Sequence, residues 1–340
     1  MTATQTPPAD APTGPHAHHQ PLSITGPAVI AIILSLLGWT TIPIFLRYFA
    51  IGEQAIDAWT ANGWRYAISA LIWLPAILIS LSRGTLPPNL WRAALVPAFW
   101  NSAAQVCFAL APYYVDPGLM TFSMRLQIIF LALGAALMFP AERRVLRSPA
   151  FLVCLGVVLV ATMSTVALNP KGLGSGQATG ILLSIAAGVM YALYALAVRK
   201  HMTGINPIKA FAVVSQYTAA ALVACMLFLG QNHGWHAVEV LDTNHWLLLI
   251  ASSVIGIGLG HTFYFYSIAR LGVVVASGIV QLQPITVAAA SSLIFPQDKM
   301  TPAQWATGTA AVAGAVMMLV VQSRLLRRVP PPFGSAKGGD

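Results

Sequence analysis

Long apolar segments separated by short polar turns dominate the chain from residue 27 onward. An α-helix needs about 20 residues to cross about 30 Å of hydrocarbon, and ten segments reach that length. None shows the two-residue alternation that is typical of a barrel strand. The sequence therefore predicts an all-α integral membrane protein with ten transmembrane helices. The predicted spans are residues 27–48, 60–82, 91–111, 117–139, 149–168, 179–198, 207–230, 244–268, 272–295 and 303–322.

Composition supports this class of protein. Apolar residues make up 57% of the 340 residues and charged residues only 8%, against about 25% charged residues in a soluble domain. This excludes a soluble enzyme and a nucleic-acid binder. The three cysteines lie inside apolar runs, with no CxxC pair, and are interpreted as small buried hydrophobes. We predict no metal site and no cofactor.

The basic residues predict an orientation. With the N-terminus in the cytoplasm, thirteen of the 18 basic residues fall on the cytoplasmic side and only Arg47, Lys171 and Lys299 fall outside. This bias is the positive-inside rule. We therefore expect the protein in the cytoplasmic (inner) membrane, with both termini in the cytoplasm. Residues 1–26, with His16, His18 and His19, are expected to be a disordered tail, and residues 323–340 a basic tail.

The two halves of the chain resemble each other. Leu126-Gln127 aligns with Leu282-Gln283, and Phe139-Pro140 aligns with Phe295-Pro296 at the same offset. The predicted repeats are residues 27–168 and 179–322, with five spans each. Because five is odd, the second repeat enters the membrane from the opposite side. The sequence thus predicts two inverted five-helix repeats, a construction typical of secondary transporters.

Several short motifs occur in a recognisable order. They are Gly38-Trp39, Arg65-Tyr66, Pro140 with Glu142 and Arg143, Arg270 with Gly272, Pro284, and the run from Asp298 to Gln304. In this order the chain resembles the EamA family of the drug/metabolite transporter superfamily. The resemblance implies a ten-helix fold with a central cavity lined by both halves, and transport of small metabolites. Two positions depart from the pattern. The first repeat has Ile128 where the second has Pro284, and the second repeat has Asp298 where the family usually has Glu.

Arg125 is the clearest polar residue at membrane depth. It lies eight residues into the fourth span, roughly 12 Å from its end, and a charge at that depth usually faces a cavity or a partner. The repeat places Gln281 at the equivalent point of the ninth span, so we expect the two to face each other across the cavity. Gln127 and Gln283, about 200° round their helices, are expected to pack against neighbouring helices. Alternatively, Arg125 bridges backbone carbonyls or Asp116.

No Asp or Glu lies near the middle of a predicted span. An exporter of cationic drugs would need such a carboxylate. A mid-span arginine without an acid beside it favours an anionic group on the substrate, through charge-assisted hydrogen bonds. We therefore predict substrates such as amino acids or organic acids.

Other polar and aromatic residues within spans have two interpretations each. His261 can carry a coupling proton, or it packs as a neutral imidazole against Tyr264 or a carbonyl. Arg65 is expected near the membrane surface, where it anchors its helix. Pro284 is expected in the middle of its helix, as a gating position. Four further candidates either contact substrate or pack helices together: Trp39, Tyr191, Asn101 and Gln105. The small-residue stripe with Gly256 and Gly260 is interpreted as close helix packing.

The sequence favours a secondary transporter that works by alternating access on a small metabolite. One alternative is a polyspecific exporter of neutral or cationic compounds. Others are a membrane enzyme that uses His261, and a passive channel. The expected partners are a small-molecule substrate, the lipid bilayer and a coupled proton, with no nucleic acid. We expect a monomer or a weak homodimer, and no enzymatic activity.

Overall fold

The computed structural model describes residues 26–139, 143–174 and 176–327, and within them every regular element is helical. Ten helices are long and apolar enough to cross a membrane, which confirms the predicted class and number of spans. The histidines of the N-terminal tail, together with Pro140 and Glu142, lie outside the described residues. Spans 1 to 10 are Gly26–Ile51, Ala58–Ser82, Leu90–Tyr113, Pro117–Met138, Pro149–Ala167, Gln177–His201, Pro207–Leu229, Thr243–Ile268, Val275–Ile294 and Pro302–Leu325.

Polar side chains and prolines start several spans. Asp57, Asp116 and Asp242 each accept a hydrogen bond from a backbone N–H in the first turn of spans 2, 4 and 8, and Asn206 does so for span 7. Such caps satisfy N–H groups that have no partner within the helix. Spans 4, 5 and 7 also carry a proline at the start, where its missing N–H removes no helical hydrogen bond.

Spans 4 and 9 are both broken near their middle. In span 4 the helices Pro117–Ser123 and Gln127–Met138 are joined by a tight 3-10 turn, Met124–Leu126. In span 9 the helices Val273–Val280 and Gln283–Ile294 meet at a turn. The breaks contain Arg125 and Gln281, the two residues that the sequence alignment pairs. Pro284 therefore lies at the start of the second helix of span 9, where its ring breaks no hydrogen bond, and the prediction of a mid-helix position was wrong.

Span 8 is also irregular. Its middle, Ser252–Leu259, is a π-helix between the α-helices Thr243–Ala251 and Gly260–Leu271. Wide turns of this kind often occur at functional sites.

Equivalent spans of the two halves have equivalent packing partners. Span 3 packs against span 6 and span 8 against span 1; span 4 packs against span 6 and span 9 against span 1. Spans 2 and 7, 4 and 9, and 5 and 10 also pack against each other. The packing is therefore symmetric between the two halves of the chain. If each span is replaced by the one five places away, a contact between spans 3 and 6 becomes the contact between spans 8 and 1, and the other contacts correspond in the same way.

Candidate functional site

The Arg125 guanidinium lies inside the bundle, and only 8% of the residue is exposed. Its Nη1 donates to Gln281 Oε1 at 2.6 Å and its Nη2 to Gln283 Oε1 at 3.1 Å. Its Nε points to the carbonyl of Thr121 at 3.5 Å. Within the described residues no carboxylate pairs with it, and Asp116 instead accepts from the Leu119 N–H. The guanidinium is thus bonded only to neutral oxygens, and none of the described residues supplies a counter-ion for its positive charge.

Gln283 extends this polar cluster to span 1. Its Nε2 donates to the carbonyl of Trp39 at 3.0 Å, while its Oε1 accepts from Arg125. The indole Nε1 of Trp39 is buried without a hydrogen-bond partner. Gln283 therefore does more than pack: it joins span 1 to the two broken spans at the level of Arg125.

An aromatic cluster continues from Trp39. Its ring centroid lies 5.1 Å from that of His261 and 4.9 Å from that of Tyr264. The imidazole stacks on Phe211 at 4.1 Å, and its Nδ1 donates to the carbonyl of Ile257 at 2.9 Å. The Tyr264 hydroxyl shares a hydrogen bond with Ser277. The structure thus brings Arg125, Gln281, Trp39, His261 and Tyr264 into one connected group.

Arg65 also lies inside the bundle. It is 1% exposed, and its Nε donates to the Ser252 hydroxyl at the start of the π-helix of span 8. Its Nη1 has no hydrogen-bond partner. Tyr113 and Tyr191 are close enough to interact with its charge. Arg65 is buried between helices, because the face of span 2 that carries it turns toward spans 7 and 8. Its expected position near the membrane surface stays a prediction.

The other candidates lie between helices. Asn101 of span 3 donates to Thr218 of span 7 at 2.9 Å. The backbone carbonyl of Gln105 accepts from Asn62 of span 2. Tyr191 packs edge-on against Phe108, as Trp39 does against the rings of span 8. Asn101 and Gln105 thus contribute to joining helices, and their role toward a substrate stays a prediction.

Three small or amide residues lie at close helix crossings. A Cβ added to Gly256 would come within 2.4 Å of the Ile42 side chain, and one added to Gly260 within 2.7 Å of Trp39 Nε1. Both glycines let span 8 approach span 1. Gln127 lies against Gly188 of span 6.

An ion cluster at one end of the bundle was missed from the sequence. The Asp298 carboxylate receives hydrogen bonds from Arg47 Nε at 2.9 Å, Arg47 Nη2 at 3.2 Å and Lys171 Nζ at 3.0 Å. Arg47 Nη1 also donates to the carbonyl of Pro112. We call Arg47, Lys171 and Asp298 the Asp298 clamp. It joins span 1, the end of span 3 and two connections. The available signal was that Arg47 and Lys171 are exceptions to the positive-inside bias.

Two grooves open elsewhere on the surface. One, of about 610 Å³, lies between spans 9 and 10 and is lined mostly by apolar residues from Leu282 to Arg324. The other, of about 560 Å³, lies between spans 5 and 10. Neither is lined by Arg125 or Arg65, so the buried polar groups are closed off from both grooves.

The fold and the ten spans define a multi-pass membrane protein with a buried polar centre. Residues 178–320 match the model of the EamA-like transporter family, a part of the drug/metabolite transporter superfamily. The match confirms the predicted resemblance over the second half of the chain, where residues 178–320 fit an EamA-like transporter domain. No curated protein matches the chain significantly. A solved crystal structure superposes with a TM-score of 0.58 at 17% identity, over 88% of this chain and 98% of the other, which shows a shared fold.

Proposed function

We propose that the protein is a secondary transporter that moves a small metabolite with a carboxylate or other anionic group across the cytoplasmic membrane. The observation that carries the proposal is the Arg125 guanidinium, which is buried at the break of span 4 and held only by amide and carbonyl oxygens. A buried charge without a counter-ion attracts an anion strongly, since little solvent screens it. The EamA-like domain supports transport rather than catalysis.

Alternating access is part of the proposal. The symmetric packing partners of the spans support two five-helix repeats, which we infer to be inverted because each has an odd number of spans. Broken helices at a repeat interface are the usual place of a transporter's substrate site, and here the breaks hold Arg125 and Gln281. The two repeats would rock around this level of the membrane.

A screen of ligand-induced thermal stabilisation tests the substrate class. Purified protein is heated with carboxylates, phosphates, neutral metabolites and organic cations. A ligand at 100 times its Kd adds about 2.7 kcal/mol of apparent stability. In Arg125→Gln we expect the affinity for anions to fall about 10- to 100-fold, because a charge-assisted hydrogen bond contributes about 1.5–3 kcal/mol.

The control variant is Arg92→Gln, which removes the same charge from an exposed position at the start of span 3. It should respond to anions as the unaltered protein does. Stabilisation by organic cations alone would contradict the anionic class and favour the exporter of cations, for which the aromatic cluster around Trp39 offers ring faces. An equal response to anions in Arg125→Gln would make Arg125 a structural residue.

A further inference from the structure

One face of span 2 carries four buried polar residues at helical spacing: Asn62, Arg65, Ser69 and Trp73. None is more than 5% exposed. The steps of three, four and four residues place them within about 80° of one face, over roughly 17 Å of helix. We call these residues the span-2 stripe. It runs through the interior, along the packing interface with spans 7 and 8.

Each residue of the span-2 stripe has a polar atom without a hydrogen-bond partner in the protein: Asn62 Oδ1, Arg65 Nη1, Ser69 Oγ and Trp73 Nε1. In the described part of the chain only seven buried side-chain atoms are unpartnered, and four belong to this stripe. Another is the hydroxyl of Ser215 on span 7. Each such atom costs about 1–3 kcal/mol. Because these unpartnered atoms are concentrated on one face, we infer that they hydrogen-bond to a polar ligand.

Arg65 differs from Arg125 in how its guanidinium is satisfied. Arg125 has three oxygen acceptors, two from side chains and one from the backbone. Arg65 has the Ser252 hydroxyl alone, and its Nη1 is unused. Among the described residues no carboxylate bonds to Arg65. A cation that is buried in this way and retains a free donor is ready to bind an anion.

We propose that the span-2 stripe lines the path of the transported compound, and that Arg65 binds its anionic group at a second position along this path, apart from the Arg125 cluster. The proposal rests on the proposed function and narrows its substrate class. Asn62 and Arg65 are three residues apart, so their side chains leave the helix about 5–6 Å from each other. Asn62 Oδ1 accepts a hydrogen bond, and Arg65 Nη1 donates one. The pair fits a small acid that carries a hydrogen-bond donor near its anionic group, such as an amino acid or a hydroxy acid.

The test measures whether water-soluble reagents reach the stripe. Cys107, Cys154 and Cys225 are replaced by alanine, and Ser69→Cys is introduced. Membrane vesicles are then treated with methanethiosulfonates that carry either a sulfonate or a trimethylammonium group. The cysteine thiolate attacks the sulfenyl sulfur, a mixed disulfide forms and methanesulfinate leaves. Rates are normalised to those of a free thiol in water, which removes the difference in intrinsic reactivity.

The matched control is Leu71→Cys. Leu71 lies two residues from Ser69, is 67% exposed and turns to the outside of the bundle, where lipid would cover it. We expect Ser69→Cys to react at least tenfold faster than Leu71→Cys, and to prefer the anionic reagent. Adding Arg65→Gln should shift the preference about tenfold toward the cationic reagent. Arg65→Lys should keep the original preference, and so should Arg125→Gln, since its charge is held in the other cluster.

Three outcomes overturn the proposal: equal rates for Ser69→Cys and Leu71→Cys, a normalised preference for the cationic reagent, or a preference unchanged by Arg65→Gln. If Arg65→Gln does not fold, the test rests on whether Ser69→Cys reacts faster with the anionic reagent than with the cationic one. The labelling needs no transport. A reactive, anion-preferring stripe in a protein that no metabolite stabilises would contradict the proposed function only. Stabilisation that depends on Arg125, with an unreactive Ser69→Cys, would contradict the stripe only.

Discussion

Asp116 shows how a single buried residue combines a structural role with a perturbed charge. Its side chain caps span 4 through the Leu119 N–H at 2.7 Å, and the residue is buried. Burial raises the pKa of Asp116 to about 6, the Leu119 hydrogen bond opposes the rise, and nearby Asp298 adds to it. Lys171 and Arg47 lower the pKa by a smaller amount. Compared with the unfolded chain, the folded chain thus stabilises the protonated form of this capping carboxyl group.

The pH dependence of stability follows from that shift. The pKa of Asp116 is higher in the folded chain than in the unfolded chain, so the folded chain binds more protons between about pH 4 and 6. Its free energy of unfolding must therefore fall as the pH rises through this range. A pKa raised from 3.8 to about 6 corresponds to on the order of 3 kcal/mol. Asp116→Asn should remove this fall, because asparagine caps equally well and does not ionise.

Thermal unfolding in detergent at pH 4.5 and pH 7 checks the expectation. The unaltered protein should lose several degrees between the two values, and Asp116→Asn should lose less. A parallel loss in both proteins would mean that another group titrates.

At the scale of elements, the Asp298 clamp joins the end of span 1 to the connections that follow spans 5 and 9. The Asp298 side chain is fully buried, the Arg47 side chain is 12% exposed and that of Lys171 is 39% exposed. A buried charge that loses its partner is costly, whereas an exposed ion pair contributes little. The two cations of the clamp should therefore contribute unequally to stability.

Asp298→Asn should lower the free energy of unfolding by about 3–5 kcal/mol, because it leaves Arg47 buried without its counter-ion. Lys171→Ala should cost about 1 kcal/mol or less. Denaturation in detergent compares the two variants. If they lose the same amount, Arg47 is compensated by another group, such as the Pro112 carbonyl that it already contacts.

At the scale of the whole molecule, the ends of the spans form two opposite faces. The Asp298 clamp, with the connections after spans 1, 3, 5, 7 and 9, lies on one face. The connections after spans 2, 4, 6 and 8 lie on the other, together with Arg83, Arg143 and Arg199. The positive-inside rule predicts that this second face, with both termini, is cytoplasmic.

Cysteine labelling in whole cells tests the orientation. In a chain without native cysteines, a membrane-impermeant maleimide should label Leu173→Cys, in the exposed connection between spans 5 and 6. It should label Thr203→Cys, in the exposed connection between spans 6 and 7, only after the membrane is opened. The reverse pattern would invert the predicted topology.

The relation between sequence and site is clearest at Arg125. The repeat alignment pairs Arg125 with Gln281, and the two side chains are 2.6 Å apart. The pairing was predictable because both residues lie at equivalent points of equivalent helices, but the direct hydrogen bond was not, since the two were expected to face each other across a cavity. The contribution of Gln283 was not predictable either, because it depends on the breaks in spans 4 and 9. A break changes which side of the helix the following residues face, and no residue pattern predicted its position.

The helical class, the number of spans and their approximate positions were determined by the sequence alone. The reason is that bilayer thickness sets the length of each apolar segment, and such segments can be counted along the chain. Only the tertiary structure decided which helices are neighbours. It buried Arg65 and aligned the span-2 stripe, and it brought Asp298 to Arg47, 251 residues away along the chain. Contacts of this kind depend on helix rotation and packing, which a hydropathy pattern leaves open.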